Sequence, residues 1–263
     1  EHLATALAEG DIAATSRVFL PLGTSETLEQ IERLGTIERA LAYRTLPKGR
    51  ALEVFERLDA SLQADLVAGL QEQDVAEVFA ALSPDDRVAL VDELPAAVAN
   101  RLILGLNEKE RALTGTVLGY PQGAVGRCMS PEFVTTRPGN SAGETLARVR
   151  GRLDDAESVY TIPVTDAGRR LVGVVSLRDV LRAEPGARIE EIMKTPISVT
   201  ASLGAEEAAR YCADAKVLVL PVVDDEERLV GILTVDDALR ILEEAESEDA
   251  ARSGGTEPLR RPY

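Results

Sequence analysis

The chain has 263 residues, 45% hydrophobic and only 3% aromatic, which excludes a disordered protein and calls for an aliphatic core. Forty-five acidic against 29 basic residues leave a net charge of −16, which repels phosphate backbones, argues against nucleic acid as a main partner and attracts cations. A single histidine, His2, and two cysteines, Cys128 and Cys212, exclude a His-based triad, a thiolate metal cage and a disulfide framework, and make a reduced, cytosolic compartment the default.

The N-terminal part is written in steps of twelve. Leu22, Leu34, Leu46, Leu58, Leu70, Leu82, Leu94, Leu106 and Leu118 recur at that spacing, followed by apolar pairs such as Val54-Phe55, Leu66-Val67 and Val78-Phe79. Twelve residues fit one short helix and a tight bend, and Pro47, Pro84 and Pro95 fall where a first helical turn accepts proline. Helices this short do not stand alone, so residues 1–120 are expected to stack into a superhelix. Asp74, Glu77, Asp85, Asp86, Asp92 and Glu93 read mostly as a solvated helical face.

From Cys128 a strand–helix module is written twice. Met129 is echoed by Met193 at an offset of 64, and Pro163, Gly173, Ser176 and Asp179 by Pro221, Gly231, Thr234 and Asp237 at an offset of 58. The first copy therefore carries six extra residues, expected between Ser141 and Val159. Each copy reads as helix, strand, turn, strand, helix, with Val159–Thr165 and Val217–Val223 as buried strands. Ser176 with Asp179, and Thr234 with Asp237, have capping-box spacing, in which the hydroxyl accepts one backbone N–H and the acid answers another. That role alone explains them. The alternative use of the same geometry is an anion site at a helix N-terminus with a carboxylate for a ribose diol.

The order of these elements resembles a CBS domain pair: residues 121–192 and 193–237. The resemblance implies an adenine nucleotide in the cleft between the copies. On this chain it falls on the first motif: Ser176 and Asp179, with Arg178 as phosphate partner and Thr161 and Pro163 beside the adenine. The second copy has Asp236 in place of Arg178, which repels phosphate.

Residues 224–249 hold eleven acids and two bases, a net of −9. The helix predicted after Thr234 has Leu239, Ile241, Leu242 and Ala245 on its apolar stripe. Glu244 and Glu248 are like-charged i, i+4 neighbours, an arrangement that a cation relieves. Oxygen ligands without His or Cys suit Mg²⁺ or Ca²⁺. No apolar stretch approaches the roughly 20 residues of a membrane span, so the chain as given is expected to be soluble. The missing initiator Met and the abrupt end at Tyr263 point to removed segments on both sides.

Taken together, an acidic short-helix superhelix, a CBS pair and an acidic connecting helix over 238–263 resemble the cytosolic part of the MgtE family of magnesium channels. The fold class is then α plus α/β multidomain. The resemblance implies a non-enzymatic Mg²⁺ sensor, homodimeric through the CBS pair and lying at the cytoplasmic face of the membrane. It gates a pore absent from this chain, with ATP as a further ligand. It carries metal positions onto Asp237, Glu248 and Asp249, and onto Asp74 and Glu77 in the superhelix. Lys216 and Arg240 stand where family members commonly carry an acid, so weaker or fewer Mg²⁺ sites are expected. The competing readings are an adenine-nucleotide module without metal sensing and a helical docking scaffold.

Overall fold

In the computed structural model, residues 12–70 and 72–253 are described, with backbone alone at 12–14, 48, 60, 72–74 and 247–253. The chain divides into two compact units, 1–112 and 113–263. Among the described residues the repeat region contains nine helices: α1 (Ile12–Phe19), α2 (Thr24–Glu32), α3 (Thr36–Tyr43), α4 (Lys48–Arg57), α5 (Ala60–Gly69), α6 (Glu72–Ala81), α7 (Pro84–Glu93), α8 (Ala96–Gly105) and α9 (Glu108–Leu118). Every one begins on a multiple of twelve, as the leucine spacing predicts.

In the first unit most of the packing joins a helix to the one after next, α1 on α3, α2 on α4, α3 on α5, α5 on α7 and α6 on α8, while α2 also packs on its neighbour α3. The repeat is therefore a double one, of 24 residues. From α3 onward, each odd-numbered helix sends the side chain of its fourth residue back to the carbonyls that end the helix before it. Arg39 donates to Ile31 and Leu34, Gln63 to Phe55, Arg87 to Phe79 and Ala80, and Arg111 to Leu106. Arg39, Gln63 and Arg87 are buried, which is stable because they satisfy otherwise orphaned helix-end carbonyls. Arg87 also pairs with Glu110. At the same place the even helices carry Ala51, Val75 and Ala99. The N-caps alternate in step: Asp59, Ser83 and Asn107 cap odd helices with their side chains, while Pro47 and Pro95 precede even ones. Pro84 stands in a first turn as expected; Pro47 and Pro95 stand one residue earlier. Asp85 departs from the solvated-face reading, being only 4% exposed.

The second unit holds α10 (Ala142–Arg150), β1 (Thr161–Thr165), β2 (Leu171–Ser176), α11 (Leu177–Arg182), α12 (Ile189–Ile192), β3 (Val199–Thr200), α13 (Ala205–Ala215), β4 (Val219–Val223), β5 (Leu229–Thr234) and α14 (Val235–Ser253). β1 and β2 form an antiparallel hairpin. β4 and β5 form another at the same register 58 residues on, with β3 added parallel to β4. The hairpins even repeat their strained turn residue, Arg169 at φ 67° and Glu227 at φ 64°. The extra length of the first copy lies in the loop 151–160 between α10 and β1, against 216–218 in the second.

The two cores exchange their leading segments. Gly231 has no side chain because Met129, from the start of the first copy, lies against it; a Cβ there would stand 2.4 Å from the Met129 sulfur. Gly173 likewise receives Met193, 2.8 Å from where its Cβ would be. Ser130 pairs with Ile232, and Lys194 with Val174. Met129 and Val125 are thus buried in the core built by α13, β4, β5 and α14, although they precede the first copy in sequence. Ala238 and Ile241 are buried in that core too, so α14 is part of the second module from its first turns rather than a separate piece beginning at residue 238. Leu239, predicted on the apolar stripe, faces outward, and Ala238 takes its place.

Candidate functional site

The cleft of the second unit encloses about 720 Å³ and is lined by Tyr160, Thr161, Ser176, Leu177, Arg178, Asp179, Leu181, Arg182, Lys194 and Leu218. Its geometry follows from the hairpin. Thr161 pairs with Ser176 where β1 begins and β2 ends, and the Leu177 amide donates to the Tyr160 carbonyl at 3.0 Å, fixing the start of α11 beside Tyr160. The second copy contributes Leu218, whose carbonyl accepts from Val235 at 3.0 Å just as Tyr160 accepts from Leu177. Tyr160, Leu181 and Leu218 are large apolar side chains left more than half exposed at its walls.

Of the predicted nucleotide residues, Thr161, Ser176, Arg178 and Asp179 line this cleft. Pro163 does not. It sits two residues further along β1, buried and paired with Val174, because the strand carries it into the sheet. The capping reading holds in half. The Ser176 hydroxyl accepts from the Asp179 amide at 3.0 Å, but the Asp179 carboxylate turns to Lys194, whose ammonium donates to Oδ2 at 3.1 Å. The hydrogen bond from Ser176, then the Lys194 ammonium, hold the Asp179 carboxyl below the usual aspartate range. α11 has only six residues, so attraction for an anion rests on side chains: Arg178, Arg182 and Lys194 against the single acid Asp179.

Lys194 and Arg182 were not legible as site residues. Lys194 lies far from the motif in sequence and arrives through its backbone pairing with Val174, at 2.8 and 3.0 Å. A lysine directly after the echoed Met193 was the only available signal.

The second copy keeps the framework and changes the charges. Thr234 donates to Asp237 Oδ2 at 2.5 Å, and Arg240 donates to Oδ1 at 3.0 Å while its other arm stands 3.5 Å from Glu244. Glu244 therefore already has a cation within its own helix. Lys216 caps the C-terminus of α13 in the left-handed region, φ 53°, where a positive charge suits the helix dipole.

Among the predicted metal residues, Asp237 lies at the start of α14 in the second unit, and Glu77 is exposed on α6 in the first. The side chains of Asp74, Glu248 and Asp249 lie outside the described residues. Among the described residues, no helix is long and apolar enough to cross a membrane.

Comparison with known proteins fits this architecture. The family model of the MgtE intracellular N domain matches residues 22–123, and that of the CBS domain matches residues 125–186 and 189–244. The magnesium transporter MgtE of Thermus thermophilus is 37% identical over 262 residues, 97% of this chain and 58% of that protein. The chain thus spans little more than half the length of this curated relative. The crystal structure of the cytosolic domain of the Mg²⁺ channel MgtE in complex with ATP superposes with a TM-score of 0.83 at 36% identity, covering 92% of this chain and 99% of that one. The soluble part of a magnesium transporter follows at a TM-score of 0.76 and 25% identity, covering 92% and 96%. With an N-terminal helical repeat, a duplicated strand–helix module and a match over nearly its whole length, the chain belongs to the MgtE family.

Proposed function

We propose that this chain is the cytosolic regulatory part of a Mg²⁺ channel or transporter, a sensor rather than an enzyme. It works at the cytoplasmic face of a membrane, as a homodimer joined through the CBS pair and attached to a pore domain. The observation that carries this reading is the near-complete match to the cytosolic domain of a Mg²⁺ channel. Mg²⁺ is the sensed ion. Carboxylates on the superhelix and the CBS pair repel one another in its absence, and a divalent ion with higher affinity for the closed form supplies the coupling. The hard oxygen donors suit this ion. Arg240 competes with it at Asp237, which supports weaker sensing than an uncharged or acidic side chain at that position would give.

Adenine nucleotide is the second ligand, in the cleft of Ser176 and Asp179. Three cations, one carboxylate and the apolar walls of Tyr160 and Leu218 supply complementary surfaces for phosphate, ribose and base. The purified chain tests both parts. Small-angle scattering in chelator and in millimolar Mg²⁺ is expected to differ, and calorimetry with ATP to give heat that Asp179→Ala removes. Identical scattering with intact ATP heat would leave the nucleotide module without metal sensing, the reading that the Arg240–Asp237 pair favours.

A further inference from the structure

We infer that Lys194 is the internal counter-ion of the cleft, displaced from Asp179 by a ligand's ribose and then taken up by its phosphate. The inference rests on reading this cleft as a nucleotide site. Its basis is the pairing at the carboxylate. Asp179 is the one acid of the cleft, and its side chain is 22% exposed. Ser176 and Lys194 both hold that carboxylate, Lys194 at 3.1 Å through Oδ2. A carboxylate that recognises a vicinal diol must offer those same oxygens. The diol and the ammonium therefore compete.

The Lys194 side chain is 71% exposed on a flexible stem, while its backbone is fixed by Val174. It can swing from the acid without disturbing the fold, and Arg178 and Arg182 border the space into which a phosphate would bring it. A nucleoside breaks the Asp179–Lys194 pair and offers the lysine nothing in return. A nucleotide breaks the same pair and replaces the carboxylate with phosphate. Lys194 thus sets a selectivity for phosphorylated ligands that Arg178 and Arg182 alone do not, because neither has to be released from the ribose-binding acid.

The inference predicts effects of opposite sign from one substitution. In Lys194→Met, calorimetry in chelator should show adenosine binding about threefold more tightly, as an exposed ion pair no longer opposes it. ATP should bind about tenfold more weakly, having lost a charge-assisted contact. Lys194→Arg should restore the discrimination against adenosine. Unchanged melting would certify the fold of each variant. If Lys194→Met moves both ligands the same way, or neither, the counter-ion role is overturned while the nucleotide site stands. If wild-type protein gives no heat with either ligand, the reading of the cleft falls, and this inference with it.

Discussion

Asp179 and Asp237 occupy one position in two copies of the same module, and their cations divide their roles. Lys194 reaches Asp179 from a different stretch of chain and is free to leave. Arg240 holds Asp237 from one turn along the same helix, an arrangement that persists as long as α14 does. The charge state of Asp179 has a stability signature. Its folded pKa is depressed by Ser176 and Lys194, so the ionised form favours the native state above the ordinary aspartate range, and that contribution fades as pH falls through the depressed value. Asp179→Asn is therefore expected to lower the melting temperature at pH 7 by about 1 °C, the difference starting to shrink below about pH 4 and vanishing once the pH has passed the depressed value. Melting curves over that range check both the size and the sign. A difference that grew on acidification would contradict the pairing.

At the scale of elements, the first unit is held by a polar device that the hydrophobic pattern conceals. The leucine spacing made each helix legible because one leucine per turn-and-helix is enough to fix where the element starts. The 24-residue period was not legible, because it is carried by Arg39, Gln63, Arg87 and Arg111, residue types that ordinarily face water. Arg87→Ala would strand the carbonyls of Phe79 and Ala80 and leave Glu110 without its buried partner. A loss of about 3 kcal/mol in urea denaturation is expected, against less than about 1 kcal/mol for Arg111→Ala, whose side chain is exposed. The exchange of methionines in the second unit was equally hidden. An offset of 64 shows that Met129 and Met193 correspond, but not that each packs on the other copy's glycine. Gly231→Ala should cost about 1–3 kcal/mol through overpacking against Met129. Double-mutant cycles should couple it to Met129→Ala and leave it additive with Met193→Ala.

For the molecule as a whole, duplication and repeat were readable because both are statements about spacing, whereas the proposed ligand chemistry depends on where long side chains point. Thr161, Ser176, Arg178 and Asp179 were found in the cleft because the strand–turn–helix motif fixes them locally; Pro163 was misplaced by two residues of strand, and Lys194 was missed because it arrives through a pairing between distant segments. The acidic excess has the same limit. It says that cations are attracted, but whether a given acid is available is decided by neighbours such as Arg240. On the proposed function, Arg240 is the position at which ion sensing can be tuned without touching a carboxylate. Arg240→Gln removes the charge beside Asp237 and should tighten Mg²⁺ binding to the chain by about fivefold, the equivalent of roughly 1 kcal/mol of competing attraction. Heat with ATP should be unchanged, since Arg240 belongs to the second copy and does not line the cleft. Mg²⁺ calorimetry on Arg240→Gln and on the pair Arg240→Gln with Asp237→Asn separates the cases. A gain in the first that the second abolishes makes Asp237 a ligand held in reserve by its arginine; no gain in either makes the acids of α14 a solvated surface, and the sensing falls to other carboxylates.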